Sequence, residues 1–365
     1  MIRRILLMIS SMVLVILLVA CGQANGGGSS LARSQGPSQL GAQSQLQSQS
    51  QPQSQSQSQS QSHSQPGTSG ASLKVVGTGL CDAAGKPVQL KGVSTHGLSW
   101  FPQYVNPECV KDIKGWGANV FRLAMYTAEY NGYCTGGDKN RLKDLVRDGV
   151  RYATENEMYV IIDWHILSDG DPNTYKSEAI SFFSDMSREF ASNPYVIYEI
   201  CNEPCNGTTW ESVYSYANEV IPAIRANSPD SVIIVGTPNW SQDVDKAADK
   251  PLPFDNVMYA LHFYAATHKG ELMNKMTAAI DKGLPVIVSE FGICDASGNG
   301  AIDESSANKW VDTMNSRNIS YICWNLSNKD EASALIDSKC NKTSGFADAD
   351  MSKEGKWLKG VLQRK

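Results

Sequence analysis

Val196-Ile197-Tyr198-Glu199-Ile200-Cys201-Asn202-Glu203-Pro204 is a short apolar run that stops on a side-chain amide, a carboxylate and a proline. Val196, Ile197, Tyr198 and Ile200 are β-branched or aromatic residues that suit a buried strand. Pro204 has no N–H to offer a central strand, so the strand is expected to end there with Glu203 at its C-terminal tip. Val286-Ile287-Val288-Ser289-Glu290-Phe291-Gly292 has the same form: an apolar run delivers Glu290 at its end and Gly292 breaks it.

Outward from these two stretches the chain alternates strand and helix. Six further strands are expected at Val88–Val93, leading to His96, and at Asn119–Met125, Tyr159–Asp163, Val232–Val235, Val257–Leu261 and Ile319–Trp324. Helical patterns lie near 109–116, 141–156, 179–191, 210–226, 273–282, 307–317 and 353–362, with only a short, weak helical signal after the fifth strand. Val75-Val76 and Leu80-Cys81, with the turn from Asp82 to Pro87, predict a hairpin capping one end. Eight β-α units over residues 73–365 define the α/β class and predict a (β/α)8 TIM barrel, whose active sites lie at the strand C-termini.

Two strand-end glutamates far apart in sequence are what glycoside hydrolysis needs. One carboxyl protonates the leaving oxygen; the other attacks the sugar carbon or activates water. Arg122, at the end of Asn119-Val120-Phe121-Arg122, sits within an otherwise apolar strand and requires a counter-charge. It is the candidate to keep Glu290 ionised. In Leu261-His262-Phe263-Tyr264 the alternation puts His262 and Tyr264 on one face at a strand end.

Ile-Cys-Asn-Glu-Pro and Val-Ser-Glu-Phe-Gly resemble the acid/base and nucleophile strands of glycoside hydrolase family 5. From residue 73 to 365 the chain is similar to the bacterial endo-β-1,4-glucanases (cellulases) of that family. The resemblance implies a retaining hydrolase of β-1,4-glucan, with Glu203 as acid/base and Glu290 as nucleophile. It makes Arg122, Asn202, His262 and Tyr264 supporting residues, with Asn202 on the sugar 2-OH and Tyr264 donating to Glu290. It assigns His96, Trp100, Tyr126, His165, Trp240, Trp324, Lys329 and Glu331 to substrate binding, and makes Trp324-Asn325 a candidate cis peptide. It implies no metal, no cofactor and a monomer. Asp163 and Trp164 read as barrel interior. Gly97-Leu98-Ser99-Trp100 and the run from Trp164 to Pro172 resemble the cellulase branch. Mannanase, lichenase and xyloglucanase activities are alternatives on the same fold, and a non-catalytic surface glycan-binding protein is the alternative of another class.

The N-terminus reads differently. Arg3 and Arg4 precede an apolar run from Ile5 to Val19, and Leu18-Val19-Ala20-Cys21 resembles a bacterial lipobox. Residues 1–20 are expected to be a lipoprotein signal peptide, with Cys21 lipidated and anchored in the membrane. Residues 21–72, rich in Ser and Gln, have nothing to bury and read as a disordered linker spanning roughly 35–40 Å. The expected location is extracellular, anchored to the cell envelope. A net charge of −5 gives no reason to expect nucleic-acid binding. Of nine cysteines, eight remain besides Cys21, and their pairing is open in an exported protein. No stretch reads as an appended carbohydrate-binding module, so soluble or amorphous chains are the expected preference.

Overall fold

The computed structural model describes residues 71–364. The expected signal peptide, Cys21 and all but the last two residues of the expected linker lie outside the described residues. Three short strands, β1 (Lys74–Val76), β2 (Gly79–Cys81) and β3 (Pro87–Val88), form an antiparallel sheet. Eight parallel strands then close a barrel: β4 (Lys91–Thr95), β5 (Val120–Tyr126), β6 (Tyr159–His165), β7 (Val196–Glu199), β8 (Ile233–Val235), β9 (Val257–Tyr264), β10 (Val286–Gly292) and β11 (Tyr321–Leu326). The helices are α1 (Pro107–Gly115), α2 (Lys139–Glu155), α3 (Lys176–Glu189), α4 (Trp210–Arg225), the single turn α5 (Pro238–Ser241), α6 (Val244–Asp249), α7 (Gly270–Asp281), α8 (Glu304–Ser316) and α9 (Lys353–Leu362).

Helix starts follow their caps. Asn106 accepts from the Cys109 N–H with Pro107 at the first helical position, Asp138 accepts from Asn140 and Arg141, and Ser352 accepts from Gly355. The short α6 matches the weak signal after the fifth strand.

Two expected strands need correction. The first barrel strand is not 88–93: Val88 pairs with Leu80 in the small sheet, and the barrel strand begins at Lys91. The chain passes from the small sheet to the barrel between them, through Gln89 and Leu90. The fourth strand leaves the ladder at Glu199, four residues before Glu203.

The period of two along each strand divides the barrel into layers. In β5, Phe121, Leu123 and Met125 face the helices and join the main core, while Val120 points to the axis among Ile161, Ile197, Ile234, Ile287 and Ile322. Leu73, Leu80 and Leu90 complete this apolar plug, so the small sheet closes the N-terminal end of the barrel as the hairpin predicts. One pleat further along the strands, the axial positions become Arg122, Asp163 and Glu199, all fully buried. The lower half of the barrel is therefore a hydrophobic plug and the upper half is charged.

Candidate active site

Arg122 organises the charged layer. Its guanidinium is 0% exposed. Nε donates to Glu199 Oε2 at 2.7 Å, and Nη1 donates to Glu290 Oε2 at 3.2 Å and to Ser94 Oγ at 3.3 Å. Nη2 donates to Asn202 Oδ1 at 2.7 Å and lies 3.1 Å from Asp163 Oδ2. Burial opposes the charge, but Asp163, Glu199 and Glu290 outweigh it and keep the arginine cationic. Glu290 receives a second donor on its other oxygen, the Tyr264 hydroxyl at 2.9 Å. Burial and the nearby carboxylates push the Tyr264 phenol well above its ordinary range, so it remains a donor. Both oxygens of Glu290 are thus held, as expected for a group that must present one lone pair in one direction.

Glu203 lies on the extended segment beyond β7. Although this segment has left the ladder, its backbone is bonded at almost every residue. The Tyr216 hydroxyl from α4 donates to Ile200 O at 2.7 Å, Gly236 N donates to Cys201 O at 3.0 Å, and Ser241 Oγ donates to Asn202 O at 2.7 Å. Trp240 N donates to Pro204 O at 3.1 Å. Gly236 is required at the end of β8, because a Cβ there would collide with the Cys201 carbonyl. Trp240 sits in α5, where Asn239, Trp240 and Ser241 all have left-handed backbone (φ 58°, 55° and 54°). Three such non-glycine residues in succession are strained. The turn leaves Trp240 43% exposed over the cleft.

His262 joins the two carboxyl systems. Its Nδ1 lies 3.0 Å from Glu203 Oε1 and its Nε2 lies 2.9 Å from Ser289 Oγ, which in turn donates to Glu199 Oε1 at 2.6 Å. Burial by itself would pull the imidazole down; bonds toward Glu199 and Glu203, with the charge of Glu290, lift it to about 9. Near neutral pH it is an imidazolium donating from both nitrogens. Among the described residues, Glu203, His262 and Glu290 are the one group of three acids and histidines whose donor atoms converge, within 4.8 Å of one another. The His262 charge stabilises the fold fully below pH 6.5, and that contribution is lost as pH rises through about 9. Glu354 in α9 acts in the same direction. Burial raises its carboxyl to about 8 while it accepts from Ile293 N and the Cys323 thiol. In a Glu354→Gln background, His262→Gln is therefore expected to flatten the decline of unfolding free energy between pH 6.5 and 9. Denaturant melts across that range test this, and an unaltered slope would remove His262 as its source.

The remaining expected residues gather around a cleft of about 640 Å³ at the strand C-termini, lined by His96, Tyr126, His165, Trp240, Trp324, Lys329 and Glu331 together with Glu203, His262, Tyr264 and Glu290. That is an ordinary size for a ligand site. His165 is held by Asp163 Oδ2 at 2.6 Å from Nδ1, and burial beside Arg122 lowers it to about 3, so it is neutral. His96 is also neutral, lowered to about 3 by burial and by Lys329, and its Nδ1 accepts from Gly97 N. Trp324 lies parallel to His165 at 5.0 Å, and the Trp324-Asn325 peptide is cis. Lys329 Nζ pairs with Glu331 Oε2 at 2.6 Å. Trp100 stands beyond the cleft wall, stacked on Tyr126 at 4.8 Å. Asn202 is fully buried: Oδ1 is on Arg122 and Nδ2 donates to Ile166 O at 3.1 Å, leaving one amide hydrogen for a ligand. Trp164 points outward into the helix layer against Phe182. The eight thiols from Cys81 to Cys340 are all free in the described residues.

Three participants escape the sequence patterns. Glu199 and Ser289 link Arg122 to His262, and His268 lines the cleft while its Nδ1 accepts from Tyr264 N at 2.9 Å. For Glu199 a signal existed, since a charge between Tyr198 and Ile200 in a buried strand needs a partner as much as Arg122 does.

Carboxyl groups this close at the open end of a β/α barrel form a glycosidase site of the retaining geometry, which needs about 5–5.5 Å, whereas inversion needs about 6.5–9.5 Å. The comparisons agree. The cellulase family model (glycosyl hydrolase family 5) matches residues 81–330, and the chain belongs to that family. It is 52% identical over 290 residues to endoglucanase A of Butyrivibrio fibrisolvens, covering 78% of this chain and 67% of that protein. It is 51% identical over 296 residues to an endoglucanase of Clostridium saccharobutylicum, covering 80% of this chain and 64% of that protein. The chain thus spans about two thirds of the length of these relatives. The solved catalytic domain of a Thermobifida fusca endoglucanase in complex with cellotetraose superposes with a TM-score of 0.76 at 38% identity, covering 80% of this chain and 97% of that one.

Proposed function

We propose that the protein is a retaining endo-β-1,4-glucanase that cuts internal bonds of cellulose-type chains by double displacement. A single observation carries it: one carboxylate oxygen of Glu203 and one of Glu290 lie within 4.8 Å of each other, each carboxyl with its own partners. Glu203 protonates the glycosidic oxygen as Glu290 attacks the anomeric carbon, and the leaving chain departs with that proton. Glu203, now a carboxylate, takes a proton from water, which attacks the same carbon and releases Glu290. The partners support this division: Arg122 and Tyr264 stabilise charge on Glu290, and His262 fixes one oxygen of Glu203, leaving the other to carry the proton. Asn202 bonds the 2-OH. His96, Trp100, Tyr126, His165, Trp240, Trp324, Lys329 and Glu331 hold the chain. The names of the relatives and the cellotetraose bound in the Thermobifida fusca structure support a β-1,4-glucan as substrate.

Viscosity loss against reducing-end release on carboxymethylcellulose tests this. A steep viscosity fall with few new ends is expected. Inactivity there with turnover of mannan or xyloglucan would move the substrate, and inactivity on all of them would favour a binding protein. The N-terminal charged and apolar run with its lipobox supports export and anchoring through Cys21. Membrane association should be lost in Cys21→Ser, and its persistence would count against the anchor.

A further inference from the structure

Among the described residues, Tyr130 is the most exposed large hydrophobic side chain, at 80%. Scattered exposed apolar residues need no explanation in themselves. What distinguishes Tyr130 is the backbone beneath it. The loop from Thr127 to Cys134 is closed by bonds from Tyr133 N to Tyr126 O at 2.8 Å and from Cys134 N to Thr127 O at 2.9 Å. Tyr133 drives its ring into the core against Trp164 and Phe182. Glu129 Oε1 accepts from Ser168 N at 2.9 Å, fastening the loop to the one after β6. Asn131 takes a left-handed conformation (φ 57°) at the loop's bend, beside the exposed Tyr130.

The same loop holds the aromatic next to it. The Trp100 indole N–H donates to Tyr130 O at 2.8 Å, and Ser99 Oγ donates to Asn131 O at 2.6 Å. Trp100 stacks on Tyr126, and Tyr126 meets His165 edge-on at 4.2 Å. From Trp324 through His165, Tyr126 and Trp100, aromatic rings lead out of the cleft, and the residue whose carbonyl holds the Trp100 indole is Tyr130, with its own side chain exposed. A tyrosine on a fixed backbone offers a flat, amphipathic face with only two torsions to freeze.

We propose that Tyr130 is a stacking platform for a glucose unit of the substrate chain lying beyond Trp100, one subsite further from the cleavage point. The inference rests on the glucanase reading above. It is tested with the full chain on cellotetraose and cellohexaose, comparing wild type, Tyr130→Ala and Tyr130→Trp. In Tyr130→Ala the ratio of kcat/KM for the hexaose to that for the tetraose is expected to fall roughly 3- to 10-fold, the change residing in KM, and Tyr130→Trp is expected to restore it. An active wild type with the same ratio in Tyr130→Ala overturns the platform alone. A wild type inactive on both oligosaccharides overturns the glucanase reading and the platform with it.

Discussion

Replacing Glu290 by alanine is expected to leave a folded protein that binds cello-oligosaccharides and releases almost no sugar. The loss in kcat should be about 10⁴-fold or more, because the covalent route disappears while the binding surfaces remain. The carboxyl is 4% exposed and bonded to Arg122 and Tyr264, so its removal also frees two donors without emptying the cleft. Azide discriminates the roles. In Glu290→Ala, azide can occupy the vacated face, attack the anomeric carbon of an activated aryl cellobioside and give the α-glycosyl azide. In Glu203→Ala, Glu290 still forms the glycosyl-enzyme, azide then displaces it, and the product is the β-glycosyl azide. Proton spectra of the products assign the two glutamates, and exchanged anomers would reverse their roles. Turnover by Glu290→Ala equal to wild type would remove the nucleophile assignment.

Arg122→Met is expected to have the largest effect on stability. The substitution leaves Asp163, Glu199 and Glu290 in the barrel interior without their shared cation. Breaking a buried ion pair from one side costs about 3–5 kcal/mol, a large part of a domain's total stability of about 5–15 kcal/mol. For a domain of this length the melting temperature should fall by roughly 5–8 °C. The direction on the acid side follows from Glu199. Burial would raise its carboxyl, but Arg122 and His262 outweigh that and bring it down to about 2 from 4.5. Its contribution is present above pH 4.5 and is lost as pH falls toward 2, a loss that should shrink in Arg122→Met. Glu199→Gln then removes a stranded charge and Asp163→Asn removes an acid that burial already holds well above the ordinary carboxylate range, so the two together should recover part of the melting temperature. Activity should not recover, since Glu290 still lacks the Arg122 donor and keeps only that of Tyr264. Calorimetry with parallel rate measurements checks both, and full recovery of activity would make Arg122 a purely structural residue.

The division between sequence and tertiary structure runs along the physics of each signal. Apolar β-branched runs and helical patterns are local, and by themselves they determined an eight-unit α/β barrel with Glu203 and Glu290 toward the C-terminal ends of its fourth and seventh strands. Arg122 was legible because a cation in an apolar strand demands a partner. Glu199 carried the same signal inside Tyr198-Glu199-Ile200. Only the tertiary structure decided which partner each charge found. Arg122 meets Glu290 across 168 residues of chain, and Ser289 meets Glu199 across 90, because barrel closure brings those strand ends together. The break between Val88 and Lys91, the early exit of the fourth strand at Glu199 and the left-handed turn at Trp240 were likewise decided there. Each depends on which backbone groups neighbouring strands leave free to bond, and residue type along the chain does not record that.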